Sequence, residues 1–250
     1  MQSMMNANIY KTTDDQWKKA VDLDFEDKSP KYTKNAWSMF ASAIEEITGN
    51  RPDIELPKVI SSERLFLDPD QIITFVNAVK GQPVEIAALL ELSSLRISEV
   101  LNVRGTDVDL IKNRIHVHGA AVYDENNQLI HKLENKTASS VRYVPIIQPL
   151  MRALENVPLT NDYLVNVSSN VTYKAINKIC RDNGLPEVGN HGLRHSFASL
   201  AYHLNIPEKI AQEIGGWKDL GTMHKIYTHL AQKDIAKRSK EFTDFFEHEK

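Results

Sequence analysis

The chain has 250 residues, of which 42% are hydrophobic, 25% are charged and 8% are aromatic. This composition is that of an ordinary globular protein, and it excludes disordered, collagen-like and membrane-embedded classes. The formal net charge of -3 argues against a protein that coats nucleic acid, because such domains are usually strongly basic.

The cysteine content and the N-terminus bear on the cellular compartment. The single cysteine, Cys180, cannot form an internal disulfide, which suits a reducing environment. The first thirty residues lack the apolar stretch of a secretory signal and are too acidic for a transit peptide. No apolar run reaches the length of a membrane span. We therefore expect a cytoplasmic chain without an anchor.

Residues 51–66 contain two prolines and mixed charge, which predicts a linker. We place residues 1–57 in a partial helical segment that includes the start of this linker, and residues 58–250 in the main domain. The first segment has one predicted helix, residues 31–48, with Trp37 and Phe40 on its apolar stripe and Gly49 at its end. This segment holds the whole charge deficit, with 7 basic against 10 acidic residues, and the rest is balanced at 23 against 23.

The main domain opens with helical patterns and then changes to strands. Asp68 and Pro69 are typical of an N-cap and a first helical residue, and further helices are predicted near residues 83–93 and 97–103. The segments RIHVH, LIHKL and VRYVP alternate in polarity, and DENNQ separates the first two as a hairpin turn would. Helical patterns return at residues 171–183, 192–204, 207–214, 219–230 and 233–247. The predicted fold class is α+β, mostly helical with a small three-stranded antiparallel sheet and a short helical segment before it.

The segment HGLRH opens one of these helices and places His191, Arg194 and His195 on one face. A solvated helix surface is the plain interpretation. Histidines at i and i+4 also match zinc-protease spacing, but a glycine replaces the glutamate base of that motif and Arg194 would repel a dication. His116 and His118 alternate on a predicted strand with no third ligand nearby in the sequence, so strand packing is favoured for them.

Three other elements also have a plain interpretation when each is taken alone. Arg96 and Glu99 form an i, i+3 ion pair, which is worth little by itself. Lys136 lies in a polar turn between two strands, where lysines commonly serve solubility. Trp217 follows a glycine pair and Tyr227 lies ten residues on, at a helical spacing typical of core aromatics.

In this order and spacing, the elements together resemble the catalytic domain of tyrosine recombinases, the phage integrase family. The resemblance runs from about residue 65 to the C-terminus, and the HGLRH box followed by Gly-Gly-Trp and Tyr is specific. It implies a site-specific recombinase that cleaves and rejoins DNA through a 3′-phosphotyrosine intermediate, from a phage or another mobile element. It also implies that residues 1–57 are part of a helical, SAM-like core-binding domain.

The resemblance assigns the charged residues one at a time. Arg96 and Arg194 match the two arginines of the family, Glu99 matches the acid that supports the first arginine, and His195 takes a supporting role. Two guanidiniums suit the chemistry, because the pentavalent transition state of a phosphodiester carries more negative charge than its ground state. With arginines stabilising that charge, no metal or other cofactor is expected.

The remaining assignments concern proton transfer and the nucleophile. Tyr227 matches the nucleophile, and because a phenol has a pKa near ~10, it needs a proton acceptor as it attacks. His191 matches that acceptor, and Lys136 matches the β-hairpin lysine that can protonate the departing 5′-oxygen. Trp217 stands where most members have His and some have Trp. The phosphotyrosine conserves the bond energy, so no ATP is required.

The sequence departs from the family pattern in two places within the catalytic part. Ser94 occupies the position two before Arg96, where the family usually has glycine. The interval from Trp217 to Tyr227 is about one residue longer than expected, with Gly221 in the connection, and a loop absorbs such a difference easily.

The resemblance also implies partners. These are double-stranded DNA, further copies of the chain in a synaptic tetramer, and an accessory DNA-bending protein; no membrane is implied. The predicted last helix has an apolar face that either docks on a neighbouring protomer or packs on its own domain; it comprises Ile235, Phe242, Phe245 and Phe246. Because the catalytic part is electrically balanced, DNA affinity must come from a localised cationic face centred on Arg96, Lys136 and Arg194.

Three alternatives stay open on the sequence alone. The chain could be a fragment that binds DNA or an intact protomer without recombining it. A metal-dependent hydrolase would be built on His191 and His195. A type IB topoisomerase shares the strand-cleavage chemistry and would relax DNA without recombination.

Overall fold

The computed structural model describes residues 3, 8–59, 65–126, 128–132 and 141–245. The chain divides into two compact units, Met1–Glu63 and Arg64–Lys250. In the part that the structure describes, no helix is both long and apolar enough to cross a membrane.

The first unit contains two helices, α1 (Asp14–Asp24) and α2 (Pro30–Thr48). Helix α2 and its end at Gly49 agree with the sequence prediction. Helix α1 was not predicted, because only Trp17, Ala20 and Val21 mark its apolar face. It begins with a capping box at Thr13, and the Trp17 ring packs 6.1 Å from that of Trp37.

The second unit is built mainly from eight helices in the described part of the chain. They are α3 (Pro69–Val79), α4 (Glu85–Leu92), α5 (Ile97–Val100), α6 (Gln148–Leu154), α7 (Ser169–Asp182), α8 (Gly189–His203), α9 (Glu208–Gly215) and α10 (Gly221–Phe245). Helix α8 is central, since it contacts α3, α4, α7, α9 and α10. Asp68 caps α3 through a capping box with Pro69 at the first helical position, as predicted.

The sheet differs from the predicted one in its pairing. Strand β2 (Arg114–Val117) lies between β1 (Val108–Asp109) and β5 (Arg142–Pro145) in a three-stranded antiparallel sheet. Strands β3 (Ala120–Tyr123) and β4 (Leu129–Lys132) form a separate antiparallel pair. The turn DENNQ therefore joins β3 to β4, not RIHVH to LIHKL as predicted. The short, alanine-containing β3 carries too little alternation to be recognised in the sequence.

Two helical predictions also need correction. Helix α10 is continuous where two helices were predicted, because residues 231–233 are good helix formers without a glycine or proline to end it. Helix α6 was not predicted; it is short, with buried Leu150 and Leu154 as its core contacts.

Candidate active site

The site starts at the N-terminus of α5, where Arg96 is the N-cap residue with extended backbone. Its backbone N–H donates to Oε2 of Glu99 at 2.8 Å, and its guanidinium donates to Oε1 at 2.8 Å. The Arg96 side chain is 36% exposed, whereas that of Glu99 is 4% exposed. The pair is thus open to solvent only on the arginine side.

An arginine that was not predicted from the sequence also contacts Glu99, in addition to the predicted Arg96 and Arg194. Arg142, at the start of β5, donates to both oxygens of Glu99 at 3.1 and 3.0 Å, and its side chain is 8% exposed. Such bidentate pairs are among the strongest side-chain interactions. A signal for it exists in the sequence, because Arg142 shares a strand face with the buried Val144, two residues on.

The Glu99 carboxylate is the shared acceptor of the cluster. A guanidinium nitrogen of Arg194 lies 3.8 Å from its Oε2, in addition to the contacts from Arg96 and Arg142. Burial raises the pKa of Glu99, but the hydrogen bonds from Arg142 and Arg96 and the charges of Arg142 and Arg194 outweigh burial and bring the pKa below its usual value. Three guanidiniums around one carboxylate leave two net positive charges at this point.

The same three arginines also hold consecutive carbonyl groups at the end of α9. Arg142 donates to the carbonyl of Ile214 at 3.0 Å, Arg194 to that of Gly215 at 2.7 Å and Arg96 to that of Gly216 at 2.8 Å. The C-terminal carbonyls of a helix lack helical partners and carry partial negative charge, so they favour cations. The arginines therefore fix the chain segment that leads to Trp217.

Both glycines of this segment are required by close packing. A Cβ on Gly215 would lie 1.6 Å from the Trp217 ring. Gly216 has φ +62, and a Cβ there would lie 2.7 Å from the guanidinium carbon of Arg142. The Gly-Gly-Trp sequence thus allows the arginines and the indole to approach the backbone.

Arg194, on α8, is buried behind the Trp217 indole. Its guanidinium carbon lies 4.4 Å from the centre of the Trp217 ring, and it also donates to the carbonyl of Ser94. Burial, followed by the nearby charge of Arg96, lowers the pKa of Arg194 to about 9. The group remains a cation at neutral pH.

Ser94, where the family usually has glycine, has a left-handed backbone with φ 80 and is fully buried. A residue with a Cβ is strained in this conformation, whereas glycine is not. The carbonyl of Ser94 accepts a hydrogen bond from Arg194, so the backbone conformation at Ser94 helps to hold that arginine in place.

The HGLRH box forms the first turns of α8. A Cβ at Gly192 would lie 2.7 Å from the carbonyl oxygen of Leu65, so glycine permits this close approach. His191 is exposed at the start of the helix, and His195 is buried beside Arg194.

Tyr227 lies on α10 and packs with Trp217 against one apolar cluster. Its hydroxyl donates to the carbonyl of Ile206 at 2.9 Å, and its ring meets that of Tyr202 edge-on at 5.5 Å. Burial, with a smaller contribution from the charge of Glu208, raises the pKa of Tyr227 to about 12. The phenol is therefore protonated and bonded to backbone here.

The structure thus brings together four of the predicted site residues, namely Arg96, Glu99, Arg194 and Trp217, and adds Arg142 to them. Lys136 and Phe246 both lie outside the described part of the chain, Lys136 within residues 133–140. The arrangement can bind an anion at the exposed edge of a preorganised cationic cluster.

Comparison with known proteins identifies the family of the chain. The model of the phage integrase family matches residues 65–234. A tyrosine recombinase XerC-like protein of Caldanaerobacter subterraneus subsp. tengcongensis is 25% identical over 218 residues, 75% of this chain and 56% of that protein. The integrase of Staphylococcus phage L54a is 26% identical over 201 residues, 72% of this chain and 56% of that protein. The chain spans little more than half the length of these relatives.

Solved structures show the same fold at low sequence identity. The Tn1549 transposon integrase in complex with transposon right end DNA has a TM-score of 0.76 at 17% identity, covering 95% of this chain and 87% of that one. The XerA recombinase has a TM-score of 0.57 at 19% identity, covering 96% of this chain and 88% of that one. Because the family model matches well over half of its length, this chain belongs to the phage integrase family.

Proposed function

We propose that this chain is a site-specific DNA recombinase or integrase of a phage or other mobile element. It cleaves and rejoins DNA strands through a 3′-phosphotyrosine without metal or ATP. The observation that carries this proposal is the cluster of Arg96, Arg142 and Arg194 around the single carboxylate of Glu99. Its two net positive charges and one exposed edge suit a phosphodiester and, more strongly, the charge that develops in its transition state.

Within this proposal the three arginines have different roles, which follow from how exposed each side chain is. Arg96, at 36% exposure, contacts the scissile phosphate through the donors that Glu99 and Gly216 leave available. Arg194, at 4% exposure, supplies charge from behind the Trp217 ring. Arg142 is a positioning residue, because both of its terminal nitrogens are engaged with Glu99.

Nucleophilic attack and proton transfer are assigned to other residues. Tyr227 attacks the phosphorus once its hydroxyl leaves the Ile206 carbonyl, and His191, exposed at the start of α8, accepts the phenol proton. Lys136 protonates the departing 5′-oxygen. His195 is buried beside Arg194 and supports the face of α8 that carries His191 and Arg194.

The partners follow from the same chemistry. Recombination needs double-stranded DNA, a tetramer of chains at synapsis and, at some sites, a DNA-bending protein, all in the cytoplasm. On α10, Ile235 is 62% exposed and Phe242 is 71% exposed, an apolar surface suited to docking on a neighbouring protomer.

The test is capture of a covalent protein–DNA adduct. The purified chain is incubated with a labelled pool of nicked duplexes of randomised sequence, and adducts are separated under denaturing conditions and mapped by mass spectrometry. We expect an adduct on Tyr227 that Tyr227→Phe abolishes. Tyr202→Phe is the matched control, since its ring packs against Tyr227, and this variant should keep the adduct.

Two outcomes would contradict the proposal. An adduct that persists in Tyr227→Phe would overturn the nucleophile assignment. Duplex binding without any adduct would favour the second candidate, a chain that binds DNA or another protomer without cleaving. That candidate draws support from the hydrogen bond between Tyr227 and Ile206 and from the pKa of about 12.

A further inference from the structure

A cluster of three metal-ligating side chains lies on the three-stranded sheet and takes no part in the proposed reaction. It consists of Asp107, His116 and His118, all partly buried, and one ligand atom of each lies within 4.8 Å of the other two. The sequence favours strand packing for the two histidines, because no third ligand is near them along the chain. The fold supplies that ligand from the turn before β1.

Strand register explains why the three side chains meet. Val108 pairs with Ile115 in the antiparallel β1–β2 ladder, which places Asp107 opposite His116. Side chains alternate along a strand, so His116 and His118 share one face while Ile115 and Val117 are buried on the other. Directly opposite and diagonal neighbours on one face are within reach of each other.

Hydrogen bonds and ring contacts already orient the three groups. The backbone N–H of Arg104 donates to Oδ2 of Asp107 at 2.8 Å, which leaves Oδ1 2.8 Å from Nε2 of His118. The His116 ring stacks on Tyr143 with ring centres 5.0 Å apart. Metal sites depend on such outer contacts to hold their ligands in place.

We propose that Asp107, His116 and His118 bind one divalent transition-metal ion, with Zn²⁺ as the best match to two imidazoles and a carboxylate. Ligand atoms about 2.0–2.2 Å from Zn²⁺ in a tetrahedron are about 3.3–3.6 Å apart, so small side-chain rotations convert the observed cluster into a site. Three protein ligands leave a fourth position for water.

The ion has a structural role. It ties the short 3₁₀ helix Gly105–Asp107 to β2, and β2 pairs with β5. In that ladder Val117 lies opposite Arg142, so Arg142 is on the other face of the sheet from the two histidines. The metal site is therefore separate from the arginine cluster, and it stabilises the strand pair that carries Arg142.

The experiment measures metal binding by the full chain, freed of any affinity tag and stripped with chelator. Zn²⁺ titration by calorimetry should give one ion per chain, and Co²⁺ should give the intense visible absorption of a four-coordinate site. His116→Gln, His118→Gln and Asp107→Asn should each weaken binding by more than about 100-fold, because even groups that only orient a ligand are worth about 10–100-fold.

A matched control comes from another histidine–carboxylate pair. Nδ1 of His224 lies 3.6 Å from Glu208, and His224→Gln should leave Zn²⁺ affinity unchanged. Circular dichroism in chelator identifies any variant that does not fold, and His116→Gln is the mildest of the three changes. The Co²⁺ spectrum of the unaltered chain tests the site without any variant. Failure of the unaltered chain to bind Zn²⁺ at micromolar concentration, or binding that survives all three ligand variants, would overturn the proposal.

Discussion

Two buried glutamates eight positions apart occupy opposite electrostatic environments. Glu99, at the start of α5, accepts hydrogen bonds from Arg96 and Arg142 and lies near Arg194. Glu91, near the end of α4, is fully buried, and both of its carboxyl oxygens lack a hydrogen-bond partner among the described residues. Each carboxyl group is removed from water, but among the described residues only Glu99 has partners that compensate for this.

The two pKa values move in opposite directions for this reason. Burial raises the pKa of Glu91 well above its usual value, which favours the neutral form of the group. At Glu99 the arginines outweigh burial, and the pKa is lowered. A buried carboxyl group therefore organises a site only when charged donors surround it; otherwise it costs stability.

Removing the compensated carboxylate should have the largest effect. Glu99→Ala leaves Arg96, Arg142 and Arg194 without their shared counter-charge, and losing one partner of a buried ion pair costs about 3–5 kcal/mol in the free energy of unfolding. We expect this loss in chemical denaturation, together with loss of the tyrosine–DNA adduct.

The exposed pair of Arg181 and Glu187 is the control for geometry. It has the same bidentate form, at 3.0 and 2.9 Å, but lies in solvent. Glu187→Ala should change stability little, because exposed ion pairs contribute little. Equal effects of Glu99→Ala and Glu187→Ala would show that burial of the arginine cluster is not what stabilises it.

Replacing the Glu91 carboxyl group should change the free energy of unfolding by an intermediate amount and in the opposite direction. Glu91→Met removes two unpartnered oxygens at similar volume, and we expect the free energy of unfolding at neutral pH to rise by about 1–3 kcal/mol. Glu91→Gln cannot ionise but keeps unpartnered polar atoms, so its gain should be smaller.

The pH dependence sharpens the same comparison. Below the ordinary glutamate pKa of 4.5, Glu91 is neutral in both the folded and the unfolded chain. As pH rises above that value, only the unfolded chain releases the proton, so the stability of the original chain falls until its folded pKa is passed. The stability gain of Glu91→Met should therefore grow with pH above 4.5; a gain independent of pH would contradict a raised pKa.

The smallest expected effect concerns Ser94, which lies between the two glutamates. Ser94→Gly removes the left-handed strain at φ 80 but adds backbone freedom to the unfolded chain. We expect a net gain of about 0.5–1 kcal/mol in the free energy of unfolding, visible as a higher melting temperature. A loss of stability would mean that the contact of its hydroxyl with the Ile214 carbonyl, at 3.4 Å, outweighs the strain.

The sequence by itself determined most helices, because their signals are local. Asp68 and Pro69 mark the start of α3, Gly49 marks the end of α2, and the HGLRH box lies at the start of α8. It also identified Arg96, Glu99, Arg194 and Trp217, which meet in the structure. Their meeting is a geometric fact. The roles assigned to them, and to Lys136, His191, His195 and Tyr227, stay predictions.

Only the tertiary structure decided contacts between residues distant in the chain. The pairing of β2 with β5, the place of Arg142 against Glu99 and the meeting of Asp107 with His118 all depend on register between strands or on helices packing across the unit. Glu91 belongs here too, since its position does not reveal that its oxygens lack partners. Local propensity acts over a few residues, whereas the compensation of a buried charge depends on which distant residues the fold places next to it.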